Sequence, residues 1–259
     1  MKPRILIKIG GRAFDGRDGF RALAQAIRNH REAEVIIVHG GGKEISQALK
    51  DADRETVFVD GIRVTPAEDM EIVEEVLSGK VNARIASWLE QGGIACRRMS
   101  GKTDRLLVVE PLIHRGRDLG FVGRVIQVNP KPLLDSLAKG EVPVVSPISV
   151  DREGKSYNVN ADSAAAALAV ASRCTDLVYF TDVSGVQVGA QIRPLLTVEE
   201  AKRLIARGTI KGGMVAKMES AFEALRGQVQ RVHITRWHGM STFESMVRRQ
   251  PVPGTTIRF

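Results

Sequence analysis

Apolar and polar positions follow two rhythms along this chain. Residues 4–9 (RILIKI), 35–38 (VIIV), 142–147 and 177–181 are short, nearly continuous apolar runs rich in Ile, Val and Leu. Such runs predict strands buried on both faces. Residues 232–234 form a shorter run of the same kind. Between them, apolar residues recur at helical spacing. This predicts helices over 19–31, 45–52, 132–139, 164–171, 198–207 and 213–225, and a long helical stretch over 67–91 with a possible break at Ser78-Gly79. Residues 106–110 and 121–128 read as strands of a segment that carries a hairpin. Strands alternating with helices predict an α/β fold, a three-layer αβα sandwich around a central, mainly parallel sheet. With no linker and no internal repeat, residues 1–259 read as one domain. Its glycine-rich turns fall in two groups, dividing it near residue 175 into a lobe of about 1–175 and a lobe of about 176–259.

Composition narrows the class. The chain has 259 residues, 43% hydrophobic and 26% charged, with few aromatics. That is enough for a core built from aliphatic side chains. No stretch approaches the ~20 apolar residues of a membrane helix, and the start shows no signal-peptide pattern, so a soluble, cytoplasmic protein is expected. Cys96 and Cys174 have no metal-ligand spacing and are expected to be idle thiols. The net charge of +8 suits an anionic small molecule or an acidic protein partner. The arginines are scattered, with no basic run, which argues against nucleic acid as a partner.

Candidate chemistry lies in the turns. Gly10-Gly11, His39–Gly42, Asp182–Gly185 and Gly212–Met214 are expected to follow strands, where backbone N–H groups and helix N-termini receive anions. Neither a P-loop nor a dinucleotide fingerprint is present: Lys43 stands at the wrong spacing and lacks a following hydroxyl. Lys8 interrupts an apolar strand just before a glycine pair. A lysine there is costly unless its ammonium reaches an anion or open solvent. Lys217 follows Gly212-Gly213 and is either a second such group or a surface helix residue. Asn160 or Asp162 opens the Ala-rich helix and suits its N-cap. Asn158 and Asn160 share one face of an extended segment.

Together these residues resemble the amino acid kinase family. The resemblance rests on KIGG at 8–11, VHGGG at 38–42, GIRVTP at 61–66, PVVSPISVDREGKSYNVNAD at 143–162, TDVSGV at 181–186, KGGMVAK at 211–217 and GTTI at 254–257. Each motif is weak alone; seven in the family's order, across nearly the whole chain, are specific.

The resemblance is strongest to members acting in arginine biosynthesis. It implies ATP-dependent phosphorylation of the γ-carboxylate of N-acetyl-L-glutamate, with Mg²⁺ bound through the nucleotide phosphates and no metal held by the protein. It implies that Lys8 and Lys217 neutralise the transferring phosphoryl group and that Asp162 holds both lysines. Gly41 and Gly42 would bind the reacting carboxylate; Arg63, Asn158 and Asn160 would bind the substrate's other end. Gly10 and Gly11 would approach the ATP phosphates. Asp182, Val183, Ser184, Gly185, Val186 and Gln187, with Thr209, Ile210 and Lys211, would line the adenine and ribose site. The first lobe would then carry the substrate and the second the nucleotide. The family's habits also imply a homodimer, with the apolar stripe of 67–89 as a candidate surface, although its periodicity equally describes a core-facing helix. The absence of an N-terminal helix implies insensitivity to arginine. Arg12, the stretch 234–246 and the short loop 188–193 depart from the family pattern. Two alternatives remain open: a kinase for aminoadipate or glutamate on an acidic carrier protein, and a non-catalytic ligand-sensing or nucleic-acid-binding protein on the same fold.

Overall fold

A computed structural model of the chain describes residues 2–10, 13–14 and 16–259. The strands are Arg4–Ile9 (β1), Glu34–His39 (β2), Phe58–Val59 (β3), Ile62–Arg63 (β4), Cys96–Ser100 (β5), Leu107–His114 (β6), Arg117–Val128 (β7), Val142–Ser146 (β8), Ile148–Val150 (β9), Ser156–Val159 (β10), Asp176–Phe180 (β11), Gln187–Val188 (β12), Gln191–Ile192 (β13), Leu195–Thr197 (β14), Arg231–Thr235 (β15) and Thr255–Arg258 (β16). The α-helices are Gly16–Asn29 (α1), Gly42–Asp51 (α2), Met70–Glu74 (α3), Asn82–Gln91 (α4), Lys131–Ala138 (α5), Ala161–Ala171 (α6), Val198–Ala206 (α7), Gly213–Arg226 (α8) and Met240–Val247 (α9).

Eight strands form the central sheet in the order β14-β16-β15-β11-β1-β2-β8-β5. Every pairing is parallel except β15 with β16. The sheet is covered on both faces, as its apolar strands require. Side chains of a strand alternate between faces. Ile5, Ile7 and Ile9 of β1 pack with Phe20, Leu23, Leu89 and Phe243 on one side. Leu6 packs with Ala165, Leu168, Ala221 and Leu225 on the other. Lys8 shares the parity of Leu6, so the sequence of β1 aims its ammonium at the α6–α8 side.

The structure adds to or departs from the sequence expectations at three points. First, β6, β7, β9 and β10 form a small closed barrel in the order β10-β7-β6-β9, set beside the main sheet. The β6–β7 hairpin agrees with the sequence reading; the closure is additional to it. Second, Ser78-Gly79 does not break the 67–91 stretch. The chain runs through a π-helix, Glu75–Val81, and the guanidinium of Arg98 donates to the carbonyls of Ser78 (2.9 Å) and Gly79 (3.3 Å). Third, the apolar stripe of that stretch is not a free dimer surface: Val73, Val76, Leu77, Val81, Ile85 and Leu89 are buried in the chain's own core.

Among the described residues no helix is long and apolar enough to cross a membrane. Cys96 and Cys174 are unpaired, and burial pushes both thiols up to about 12, far from the thiolate form.

Candidate active site

The turns after β1, β2 and β11 meet at the carboxyl ends of three adjacent central strands, the usual ligand crevice of an open α/β sheet. Gly212-Gly213 does not follow a strand as expected; it follows α7 and opens α8.

Lys8 and Lys217 converge on one carboxylate. Asp162 Oδ1 lies 2.8 Å from Lys8 Nζ, and Oδ2 accepts a hydrogen bond from Lys217 Nζ at 2.7 Å. The Lys8 contact is an ion pair without good hydrogen-bond alignment. The three side chains are each between 11% and 13% exposed. Local sequence explains the convergence. Asn160 caps α6, its Oδ1 accepting from the backbone N–H of Asp162 (2.8 Å) and Ser163 (3.2 Å). Asp162 therefore sits in the first turn, where the helix dipole favours a negative charge. Ala164, Ala165 and Ala169 keep α6 thin enough to lie close to the sheet. Ser163 and Ser220 hydroxyls, 3.4 Å apart, join α6 to α8. Tyr179 lies fully buried beneath; Lys217 Nζ stands 5.1 Å from its ring centroid, and its hydroxyl donates to Asp162 O.

The electrostatics are those of two cations sharing one anion. Burial alone would raise the Asp162 carboxyl, but the two ammoniums overcome it and hold it at about 2. Burial lowers Lys217 despite its ion pair, and the nearby Lys8 charge works in the same direction. The cluster keeps surplus positive charge.

Gly10 joins this cluster to the crevice. Its N–H donates to Phe180 O, and a Cβ there would fall 3.1 Å from that oxygen and 3.9 Å from Lys8 Nζ. A side chain would push between β1 and β11. Gly11 lies outside the described residues, as does Arg12.

Two cavities meet at Asp182. The larger, about 670 Å³, is lined by Gly10, Gly42, Lys43, Ser46, Gln47, Lys50, Phe58, Thr181 and Asp182. Of the residues expected to hold the acceptor, Gly42 lines it. Arg63 is buried behind its wall: Nη2 donates to Gly42 O and Ser46 Oγ, both at 2.8 Å, and the guanidinium lies 4.8 Å from the Phe58 ring centroid. Among the described residues Arg63 has no carboxylate within ion-pair distance; burial lowers its pKa, partly countered by Asp69. Asn158 donates to Thr65 Oγ1 at 3.1 Å. Asn160 spends its carbonyl oxygen on the helix cap, the alternative its sequence position left open. Gly41 packs against the π-helix, where a Cβ would come 2.7 Å from Leu77 Cδ2.

The second cavity, about 490 Å³, is lined by all nine residues expected to surround adenine and ribose: Asp182 to Gln187 and Thr209 to Lys211. Ala190, Ile192, Met214 and Arg236 also line it, beyond the sequence expectation. Arg236 directly follows β15 and donates to Asp182 O; its place at a strand's carboxyl end is the available signal. Thr255 of the GTTI motif braces this wall. Its hydroxyl accepts from Val186 N (2.8 Å) and donates to Arg193 O (2.6 Å). The short loop 188–193 is the β12–β13 hairpin's turn and return strand.

The sequence profile of the amino acid kinase family matches residues 3–236. The chain belongs to that family. Among its relatives in the family is the acetylglutamate kinase of Geobacillus stearothermophilus, 40% identical over all of this chain and 97% of that protein. The crystal structure of smu.665 from Streptococcus mutans UA159 superposes with a TM-score of 0.81 at 27% identity, covering 100% of this chain and 99% of that one. An N-acetylglutamate synthase from Neisseria gonorrhoeae, complexed with coenzyme A and N-acetyl-glutamate, shares the fold at a TM-score of 0.85 and 22% identity, over 100% of this chain and 60% of that one.

Among the described residues no three His, Cys, Asp or Glu side chains are arranged to bind a metal ion.

Proposed function

We propose that this chain transfers the γ-phosphoryl group of MgATP to the γ-carboxylate of N-acetyl-L-glutamate, as in arginine biosynthesis. The observation that carries the reading is the Lys8–Asp162–Lys217 cluster beside Gly10, which lines the larger of two cavities that meet at Asp182. The full-length identity to acetylglutamate kinases supports the choice of acceptor. About 1–175 forms the acceptor lobe and about 176–259 the nucleotide lobe; the lining of the second cavity, drawn wholly from 182–236, supports that division.

The chemistry follows from the groups present. A carboxylate oxygen is already a nucleophile, so no base is needed. It attacks the γ-phosphorus; the bond to the ADP oxygen breaks, and its electron pair leaves on ADP. No proton moves. Catalysis then depends on alignment and on neutralising charge on the transferring group. Lys8 and Lys217 supply the charge. Asp162 fixes both ammoniums before substrate arrives, so little reorganisation is left for the transition state. Gly10 and Gly11 approach the phosphates, Gly41 and Gly42 the reacting carboxylate, and Arg63, with Asn158 and Asn160, the acceptor's other end. Free Cys96 and Cys174 suit a reducing cytoplasm.

One observation favours a second acceptor form. Lys43 and Lys50 line the larger cavity, are exposed and form no ion pair among the described residues. An acidic carrier bearing glutamate or aminoadipate would meet them. ATP turnover with free N-acetyl-L-glutamate against a carrier-linked acceptor separates the two. A kcat/KM at least tenfold higher for the free amino acid supports the proposal; the reverse order replaces it, and no turnover with either removes catalysis.

A further inference from the structure

His39 is an unusual core residue. It ends β2, is fully buried, and stands directly before the glycine turn that opens α2. A buried imidazole is costly unless both nitrogens are paired. Here both are. Nδ1 lies 2.9 Å from Gly40 O, and Nε2 lies 3.1 Å from Asn82 Nδ2.

Neighbouring groups fix which nitrogen carries the proton. Asn82 Nδ2 also reaches Val144 O (2.9 Å) and Met99 O (3.3 Å), which only accept. Arg98 Nε donates to Asn82 Oδ1 at 3.0 Å. The amide orientation is therefore set, and His39 Nε2 must accept. Nδ1 then carries the hydrogen and donates to Gly40 O. Burial pushes the imidazole down to about 4, so it is neutral at ordinary pH.

The same structural segment grips the next residue. Gly41 lies against Leu77 and Val81 of the π-helix so closely that a Cβ would come within 2.7 Å and 3.3 Å of them. Arg98, which orients Asn82, also binds the π-helix carbonyls of Ser78 and Gly79. On its other side Gly40 N donates to Ile9 O at 3.0 Å. The Gly40 peptide is thus held at both its N–H and its carbonyl. Immediately beyond this turn α2 begins, and its first N–H groups have no partner within the helix.

We propose that His39 is a positioning residue: its Nδ1–H holds the Gly40 carbonyl and so aims the Gly41 and Gly42 N–H groups at the carboxylate under attack. The inference rests on the reading that this turn receives the acceptor. It gives a reason for histidine rather than an aliphatic residue at the end of an apolar strand.

Two substitutions separate alignment from packing. His39→Asn places an amide N–H near the Nδ1 position and gives up the Asn82 contact. His39→Gln reaches Asn82 and gives up the Gly40 contact. Each loses one buried hydrogen bond, so both lose similar stability. The expected result is that His39→Asn keeps kcat/KM for N-acetyl-L-glutamate within about threefold, while His39→Gln loses about tenfold to a hundredfold with the KM for ATP unchanged. In the ligand-free variants, the ¹H–¹⁵N signals of Gly41 and Gly42 should move in His39→Gln and stay near wild type in His39→Asn. Equal losses in both variants, tracking their melting temperatures, with matching Gly41 and Gly42 signals, would overturn the proposal. If wild-type protein fails to phosphorylate N-acetyl-L-glutamate, the functional reading falls separately, and the amide signals still decide the alignment. If neither variant folds, the imidazole ¹⁵N spectrum of wild-type protein decides: an Nδ1–H tautomer supports the proposal, an Nε2–H tautomer overturns it.

Discussion

Lys8 Nζ stands 2.8 Å from Asp162 Oδ1, a contact that ties the central strand of the sheet to the first turn of α6. It exists because Lys8 shares the side of Leu6 and because α6 is built from alanines at its sheet-facing positions. With Lys217 on the second oxygen, both ammoniums are set as compact point charges. Lys8→Arg and Lys217→Arg should each lower kcat by about 10²–10³-fold while changing ATP affinity much less. Arginine keeps the charge but cannot place it at the same point. Steady-state kinetics beside nucleotide titration check this; near-normal turnover in both variants would remove the two lysines from the mechanism.

Asp162 links the site to stability. Its folded pKa of about 2 lies below its ordinary value of 3.8. The stabilisation it gives is therefore fully present above the ordinary value and is lost as pH falls through about 2. Asp162→Asn lacks it at every pH and leaves two buried ammoniums without their shared anion. Urea unfolding from neutral to acid pH should show wild type more stable above about pH 5, with the gap closing as the carboxylate protonates. A gap that stays constant down to about pH 2 would contradict the ion-pair account.

Arg63→Ala should raise the KM for the amino-acid acceptor by about tenfold to a hundredfold and leave the KM for ATP nearly unchanged. The guanidinium holds Gly42 O and Ser46 Oγ from behind the larger cavity, so its loss affects that wall alone. An effect confined to ATP would place Arg63 with the wrong ligand.

Thr255→Val should do the opposite. The variant leaves Val186 N, at the cavity proposed for the nucleotide, without its acceptor and frees the Arg193 carbonyl next to it. ATP binding should weaken about threefold to tenfold, with the acceptor KM unchanged. Calorimetry with a non-hydrolysable ATP analogue reads this directly.

The central strands are legible in the sequence because burial on both faces leaves an unbroken apolar run, as in RILIKI and VIIV. β5 escapes for the converse reason: it is an edge strand, CRRMS, in which only Met99 is buried. β14 and β16 are too short to carry a period. Barrel closure depends on pairing between β6 and β9 and between β7 and β10, which no local pattern encodes. The π-helix reads as a break because Ser78-Gly79 looks like a stop, while its stabilising partner, Arg98, lies on another element. At the site, Lys8 is conspicuous as a charge in an apolar strand. Lys217 and Asp162 look like ordinary helix residues, and only the family's motif order singles them out. Phe58 is invisible, since nothing in its own neighbourhood marks it as lining a cavity, and Arg236 is marked only by its place just after a central strand.

The central claim is transfer to a side-chain carboxylate. Phosphorus NMR of the reaction with MgATP and N-acetyl-L-glutamate, followed by hydroxylamine trapping, tests it most directly. An acyl phosphate should appear as ATP is consumed and be converted to the γ-hydroxamate, and N-acetyl-L-glutamine, which lacks the carboxylate, should give neither. ATP consumed at the same rate with either compound, releasing only inorganic phosphate, would contradict the account.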